Sequence, residues 1–356
     1  MIETVEIKNY KSILQAKMQF SPLTVLVGMN GAGKSNLTLG LSFLSHVSTD
    51  GLAAAVNHFG GFRSLLPQME APSAQEAKIA FCVSMSLPPS QVKQADSPLT
   101  VKYELEFGYA DLAKESVRIT HEKMSFDQFL PPAGILLASP DFTAQARTFR
   151  TRVSAIRRYN LRSTSKLIEQ SQNGGLTTVA EPFTLSSIRQ LEGEVSWNRI
   201  MRTLGVIAPY LKSIQSHFRY TEEIERCARK QIESWEFSGG MVRALAILFA
   251  LETHPEHGTL LIEEPEQSLH PWAIKALMEH IREVIRERNI QVILTTHSAI
   301  VLEQLSPEEV LIVERSEQKG TTFQTINEIL PDSKIAMGEV GELWIHGLLG
   351  GVPSYE

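Results

Sequence analysis

Residues Gly28-Met29-Asn30-Gly31-Ala32-Gly33-Lys34-Ser35 decide how this chain folds, and the rest of the sequence can be placed around them. They fit the pattern G-x-x-x-x-G-K-[ST]. An apolar, β-branched run, Leu23–Val27, precedes them, and Ser35–Val47 follows with Leu37, Leu41 and Leu44 on one helical face. Strand, glycine loop and helix in that order form a cradle for phosphate. Glycines let several backbone N–H groups point inward at phosphate oxygens, and the helix adds its unpaired donors and dipole. Asn30, Gly31, Ala32, Gly33, Lys34, Ser35 and Asn36 are the candidates for that cradle. Lys34 can reach the β- and γ-phosphates, and the Ser35 hydroxyl can ligate Mg²⁺. The alternative is an accidental glycine turn. From average residue usage a random chain of this length matches on the order of 1% of the time, so the spacing and context favour a nucleoside triphosphate.

Three further runs read as fully buried strands, Leu260–Ile262, Val292–Thr295 and Val310–Val313, with the amphipathic helix Ala273–Arg288 between the first two. Buried strands alternating with helices predict an α/β core with a mainly parallel sheet. Ala77–Leu87, Leu99–Tyr109 and Ser116–Phe126 predict three antiparallel strands. From Pro131 to Trp235 the pattern is mostly helical, interrupted by Ser171–Gly175. The expected organisation is a split core, residues 1–130 and 236–356, with a mostly helical insertion at 131–235.

Composition narrows the setting. The 356 residues are 43% hydrophobic and 21% charged, too apolar for general disorder. Two cysteines, Cys82 and Cys227, exclude a disulfide framework and are expected as small buried hydrophobes. The opening MIETVEIKNYKS carries acids where a signal peptide needs bases, and the longest apolar stretch, Ala244 to Leu251, is too short for a bilayer. A soluble cytoplasmic protein with no membrane partner is expected.

Glu263 and Glu264 end the run Thr259–Ile262. In P-loop enzymes an acid at a strand end holds Mg²⁺, and a neighbouring acid orients or deprotonates the attacking water. Adjacent strand residues point to opposite faces, so the two carboxylates have separate roles unless Pro265 turns the chain. A solvated acidic loop is the alternative. His297 ends the Val292–Thr296 run, where an imidazole could bond a γ-phosphate oxygen or simply cap and pack. Ser238, Gly239 and Gly240 open an apolar helix, which makes either a second anion site or an ordinary N-cap.

As an ordered set these pieces resemble the ATPase core of the ABC, SMC and RecF superfamily. Residues 28–35 correspond to Walker A, 259–264 to Walker B, Phe237–Met241 to the LSGGQ signature, Ser268-Leu269-His270 to the D-loop, and His297 to the switch histidine. The opening Ile7–Ile13 and the Gly-Lys-Ser-Asn ending at Asn36 are typical of the SMC and RecF side. Glu263–Pro271 with Thr295–Ser298 is similar to stand-alone ATPases related to the OLD family and to PtuA of the Septu defence system. The resemblance implies head-to-tail dimers, with ATP held between Walker A of one copy and Ser238 and Gly239 of the other. It implies hydrolysis through Glu264, with Lys34 and His297 assisting, Mg²⁺ on Ser35 and Glu263, and a role in phage defence or DNA processing beside a separate nuclease or effector. Glu263 stands where the family usually has Asp. No glutamine is assigned firmly to the Q-loop, and Gln68 is a candidate. OLD proteins carry a C-terminal TOPRIM nuclease, but 59 residues follow His297, so a nuclease is expected as a separate chain. Two other functions compete: a non-catalytic ATP-dependent scaffold that cages a toxin or nuclease, and a transporter's nucleotide-binding subunit. Against the latter, Ser238 follows Ser35 by 203 positions.

The net charge of −6 hides one basic stretch. Between Asp141 and Glu169 lie Arg147, Arg150, Arg152, Arg157, Arg158, Arg162 and Lys166 with no acid, and Phe142, Phe149 and Tyr159 are interleaved. These could contact DNA or RNA through phosphates and stacking, or form a solvated helical face paired with acids elsewhere in the fold or in a partner subunit. His254-Pro255-Glu256-His257 resembles a metal pair but reads as a turn. The glycine-rich tail, Gly338–Pro353, could dock on the core or on a partner.

Overall fold

The computed structural model describes residues 1–67, 76–88, 98–111, 115–127, 144–160, 195–209, 211–214, 220–224, 228–232, 238–331 and 333–352. Its strands are β1 (Ile2–Tyr10), β2 (Ile13–Gln19), β3 (Leu23–Val27), β4 (Lys78–Leu87), β5 (Leu99–Asp111), β6 (Ser116–Phe126), β7 (Ile156–Asn160), β8 (Leu211–Ile214), β9 (Tyr220–Ile224), β10 (Ala228–Ile232), β11 (Thr259–Glu263), β12 (Gln291–Thr296), β13 (Val310–Ser316) and β14 (Gly320–Thr325). The helices are α1 (Lys34–Asp50), α2 (Leu52–His58), α3 (Phe62–Leu65), α4 (Ala144–Ser154), α5 (Val195–Ile207), α6 (Gly239–Thr253), α7 (Pro271–Arg288), α8 (Ala299–Leu302), α9 (Ile326–Ile329) and α10 (Val340–Ile345).

One sheet of eleven described strands runs β6-β5-β4-β1-β2-β14-β13-β3-β12-β11-β7. The pairs β13–β3, β3–β12, β12–β11 and β11–β7 are parallel, and the arm from β13 to β6 is antiparallel. The expected combination of a parallel core with an antiparallel subdomain is therefore present. Alternation along the parallel strands builds two cores. Leu26, Leu261, Ile293 and Leu311 face α1, with Leu37, Leu41 and Leu44 and the antiparallel arm. Val25, Ile262, Leu294 and Ile312 face the opposite layer, which holds α6 with Leu277 and Ile281 of α7. Strands buried on both faces have no polar side to alternate with, which is why they read as continuous apolar runs.

α7 is well specified locally. His270 caps it by accepting from Trp272 N, Pro271 takes the first turn, and Asn289 ends it with φ 51°. α5 is pinned to α6 and α7 by a buried polar cluster. Arg199 Nε lies 2.8 Å from Glu252 Oε1, and His280 Nε2 lies 3.2 Å from the same oxygen.

The stretch expected to be a mostly helical insertion differs from that expectation in its described part. Residues 156–160 form β7, an edge strand parallel to β11. α4 packs on α1 through Ser48 and Arg150, so 144–160 joins the core sheet and its cover. β8, β9 and β10 make a separate three-stranded sheet. The charged run Arg157-Arg158 masks β7, because its strand character comes from pairing with β11 and not from apolar alternation. The tail rests on the core: Leu349 is fully buried, and Gly351 N donates to Glu314 Oε1 at 2.8 Å. Among the described residues no helix is long and apolar enough to cross a membrane.

Candidate functional site

The candidate residues gather at the C-terminal ends of β3, β11 and β12, which are consecutive in the sheet. That edge is where open α/β sheets bind ligands. The glycine loop leaves β3 there and closes on α1. Gly33 has φ 111°, and a Cβ on it would stand 2.2 Å from Thr321 Oγ1, so only glycine fits. Asn30 and Gly31 are exposed, and Lys34 is buried. Lys34 Nζ donates to the carbonyls of Gly28 at 2.7 Å and Met29 at 2.9 Å, which aligns its stem along the loop.

A network missed by the sequence reading braces this loop from beneath. Thr321 Oγ1 donates to Ala32 O at 2.8 Å and lies 2.7 Å from Ser12 Oγ. Ser12 Oγ in turn accepts from Asn36 Nδ2 at 2.6 Å. Thr321 and Ser12 sit on adjoining turns of β14 and β1–β2, and Thr321 N donates to Ser12 O at 2.7 Å. Ser12 lies in the opening segment that resembles the SMC and RecF side. Thr321 carried no signal, being 289 positions from the loop it holds.

Glu263 ends β11 and is 1% exposed. Its Oε1 accepts from Thr38 Oγ1 at 2.7 Å and from Arg158 Nη2 at 2.7 Å and Nε at 3.0 Å. Thr38 Oγ1 also lies 3.0 Å from Ser35 O, so Thr38 links this carboxylate to the turn bearing the Ser35 hydroxyl. A serine hydroxyl on that turn and the carboxylate tied to it are hard oxygen donors of the kind that suit Mg²⁺. The residues present therefore fit the metal that the family implies.

Glu264 itself makes the turn. With φ 48° it is left-handed, and its N–H donates to Thr295 O at 2.9 Å. The turn expected at Pro265 thus begins one residue earlier, and it separates the two carboxylates. Glu264 Oε1 stands 3.9 Å from His297 Nε2, both side chains being partly exposed. Glu266 Oε1 accepts from Thr296 Oγ1 at 2.6 Å and from His297 N at 3.0 Å, fixing the backbone that carries His297. Burial pushes the Glu266 carboxyl above the ordinary range, against the lowering by these two bonds.

Ser238 caps α6 by accepting from Met241 N at 3.2 Å, and both Ser238 and Gly239 are exposed at that helix start. The N-cap role is thus realised, and an exposed helix N-terminus remains available to an anion. Gly240 is buried against the D-loop, where a Cβ would meet Ser268 O at 2.2 Å.

The basic segment is dispersed. Among its described members Arg147 and Arg157 are exposed. Arg150 Nε donates to Ser48 O, and buried Arg152 donates to His257 O at 2.7 Å. Arg158 is drawn to Glu263. Phe149 is fully buried beside Tyr103, so it belongs to the core, while Tyr159 is partly buried against the other core. A continuous basic face with interleaved rings is therefore not what these residues form. Arg162, Lys166, Phe142, Gln68, Phe237, Cys227 and the loop 171–175 lie outside the described residues. Cys82 is half-buried, more open than expected.

The turn reading of His254–His257 holds. His254 is 2% exposed, and burial beside Arg157 and Arg288 pushes its ring down to about 3, an environment hostile to a cation. No group of three or more metal-ligating side chains occurs among the described residues.

A glycine loop braced under α1, an acidic turn ending the neighbouring-but-one strand and a histidine between them define an ABC/SMC-type P-loop ATPase core. The family model described as "AAA domain, putative AbiEii toxin, Type IV TA system" matches residues 23–303, and the chain belongs to this AAA_21 family. It is 32% identical over 114 residues to the energy-coupling factor transporter ATP-binding protein EcfA2 of Bacillus cereus, a match covering 29% of this chain and 36% of that protein. The chain thus spans 36% of that curated relative's length. Among solved structures it resembles an Smc head bound to the C-terminal winged-helix domain of ScpA, with TM-score 0.60, 14% identity, and 91% and 97% of the two chains covered. It also resembles the SMC head domain from Thermotoga maritima, with TM-score 0.51, 14% identity, and coverage of 91% and 98%. Identity that low speaks for the fold alone.

Proposed function

We propose that this protein is an ATP-hydrolysing conformational switch that pairs head to tail with a second copy and drives a separate effector. The observation that carries the reading is that Glu263, Glu264 and His297 stand at the ends of parallel strands beside the glycine loop that bears Lys34, with Glu264 and His297 3.9 Å apart. In this reading the loop N–H groups and Lys34 hold the phosphates, and Ser35 and Glu263 hold Mg²⁺. Mg²⁺ held there would supply charge neutralisation at the phosphate oxygens. Glu264 orients and deprotonates water, while His297 hydrogen-bonds the terminal phosphate. The exposed helix start at Ser238 and Gly239 contacts the phosphate of the second copy, so closure requires ATP and hydrolysis reopens the pair.

The cytoplasmic setting, the phage-defence role, the nuclease partner and contact with DNA or RNA belong to the same proposal. They are supported by the OLD-like and PtuA-like motif block, and for nucleic acid by exposed Arg147 and Arg157.

The test compares Lys34→Ala and Glu264→Gln with the parent chain for ATP binding, turnover and mass in solution. Lys34→Ala should lose binding. Glu264→Gln should bind, stall and accumulate as a dimer in ATP. Normal turnover by Glu264→Gln overturns the assignment, and ATP binding without any dimer overturns the head-to-tail switch.

A further inference from the structure

Arg158 comes to the acidic turn from an unexpected direction. It lies on β7, whose residues pair in parallel with β11: Arg158 opposite Leu261, Tyr159 opposite Ile262, Asn160 opposite Glu263. From there its side chain, 21% exposed, reaches the almost wholly buried Glu263. A carboxylate removed from water to that extent needs a counter-charge and filled lone pairs. Arg158 supplies the charge through two N–H donors on Oε1, and Thr38 supplies a third donor. An oxygen that accepts three hydrogen bonds has no lone pair left for a metal. The two cations are therefore alternatives at Oε1.

We propose that Arg158 is a displaceable counter-cation on Glu263. The guanidinium holds the carboxylate when no divalent cation is bound, and it leaves when one is. This rests on the reading of Glu263 as the metal-side acid. Among the described residues β7 is an edge strand held by β11 alone in the sheet. Release of Arg158 removes one of the side-chain ties between this short strand and the site. Arginine suits the task better than lysine, since its planar fork can engage one carboxylate oxygen through two donors at once.

The test uses the full chain and a fluorescent ATP analogue, titrated with Mg²⁺ in the parent, Arg158→Gln, Arg158→Lys and Glu263→Gln. Amide exchange of residues 156–160 is followed in the parent with ATP, with and without Mg²⁺. Arg158→Gln should lower the Mg²⁺ concentration needed for half-maximal binding by at least about tenfold, the effect of removing the guanidinium's two charge-assisted hydrogen bonds from the competitor. Arg158→Lys should fall between. Mg²⁺ should raise exchange at β7 in the parent, a readout that needs no variant to fold. A higher Mg²⁺ requirement in Arg158→Gln makes Arg158 a positioning residue for the metal and overturns the proposal, as does unchanged or slower exchange at β7. If Glu263→Gln responds to Mg²⁺ as the parent does, the metal-side reading of Glu263 itself falls. A response that depends on Glu263 but not on Arg158 sinks only the exchange.

Discussion

Arg243 Nη2 donates to the carbonyl oxygen of Glu264 at 2.7 Å. The same nitrogen reaches Glu263 O at 3.2 Å, and Nη1 reaches Gln267 Oε1 at 2.9 Å. One buried guanidinium on α6 therefore holds the acidic turn and the loop after it, and Gly240 packs on Ser268 of that loop. The left-handed Glu264 and Ser268, at φ 48° and 66°, are conformations that cost non-glycine residues roughly 1–2 kcal/mol each, so the turn needs such a clamp. Arg243→Met keeps the stem and removes the donors. It should destabilise the fold by about 2–4 kcal/mol, because the freed carbonyls stay buried. Denaturant unfolding reads that loss. Turnover should fall further than nucleotide affinity, since the phosphate loop is untouched.

The brace under the glycine loop gives a second expectation. Thr321→Val should cost about 1–2 kcal/mol, one buried hydroxyl network. A double-mutant cycle with Ser12→Ala should show coupling, given the 2.7 Å contact between the hydroxyls. Gly33→Ala should abolish ATP binding, because its Cβ has no room beside Thr321 and its φ disfavours any side chain. Retained affinity in Gly33→Ala would show that the loop tolerates rearrangement.

These two cases mark what was legible. The glycine loop, the four buried strands and the amphipathic faces of α1 and α7 are local patterns, and they stand where the sequence put them. Thr321 and Arg158 are not local. Arg158 meets Glu263 across 105 positions, and within Ile156-Arg157-Arg158-Tyr159-Asn160 only one residue is aliphatic. Composition made that run look like a basic face, open to nucleic acid or paired with acids that it could not name. Pairing with β11 makes it a strand, and a buried carboxylate makes one of its arginines part of the site.

Acid sensitivity follows from His254. Its ring is held neutral, with a value pushed from 6.5 down to about 3 by burial first and then by Arg157 and Arg288. Below pH 6.5 the unfolded chain takes up a proton that the folded ring refuses. The stability this neutral ring preserves is thus complete above that pH and is lost as pH falls toward 3, at about 1.4 kcal/mol per pH unit. His254→Gln should remove that slope. Denaturation midpoints measured from pH 7.5 to 4.5 should converge between variant and parent as the pH drops. Parallel curves would mean that the ring is reached by protons in the folded state.

Nucleic-acid binding, if the basic segment provides it, falls to its exposed members. Arg158 cannot test it, because replacing that residue disturbs Glu263. Arg147 and Arg157 are exposed, and although Arg157 Nη1 donates to Ser154 O at 2.6 Å, neither residue bonds the acidic turn. The double variant Arg147→Gln, Arg157→Gln should leave ATP binding intact. It should flatten the salt dependence of DNA or RNA retention by about 0.7–0.9 in log–log slope for each phosphate that is no longer neutralised. His254 offers an internal check that the exchange took place at the intended site, since removing the Arg157 charge relaxes one of the causes holding its ring down. Acid stability should rise slightly in the variant while the nucleic-acid slope flattens. An unchanged slope with the acid shift present would place any nucleic-acid surface elsewhere on the molecule.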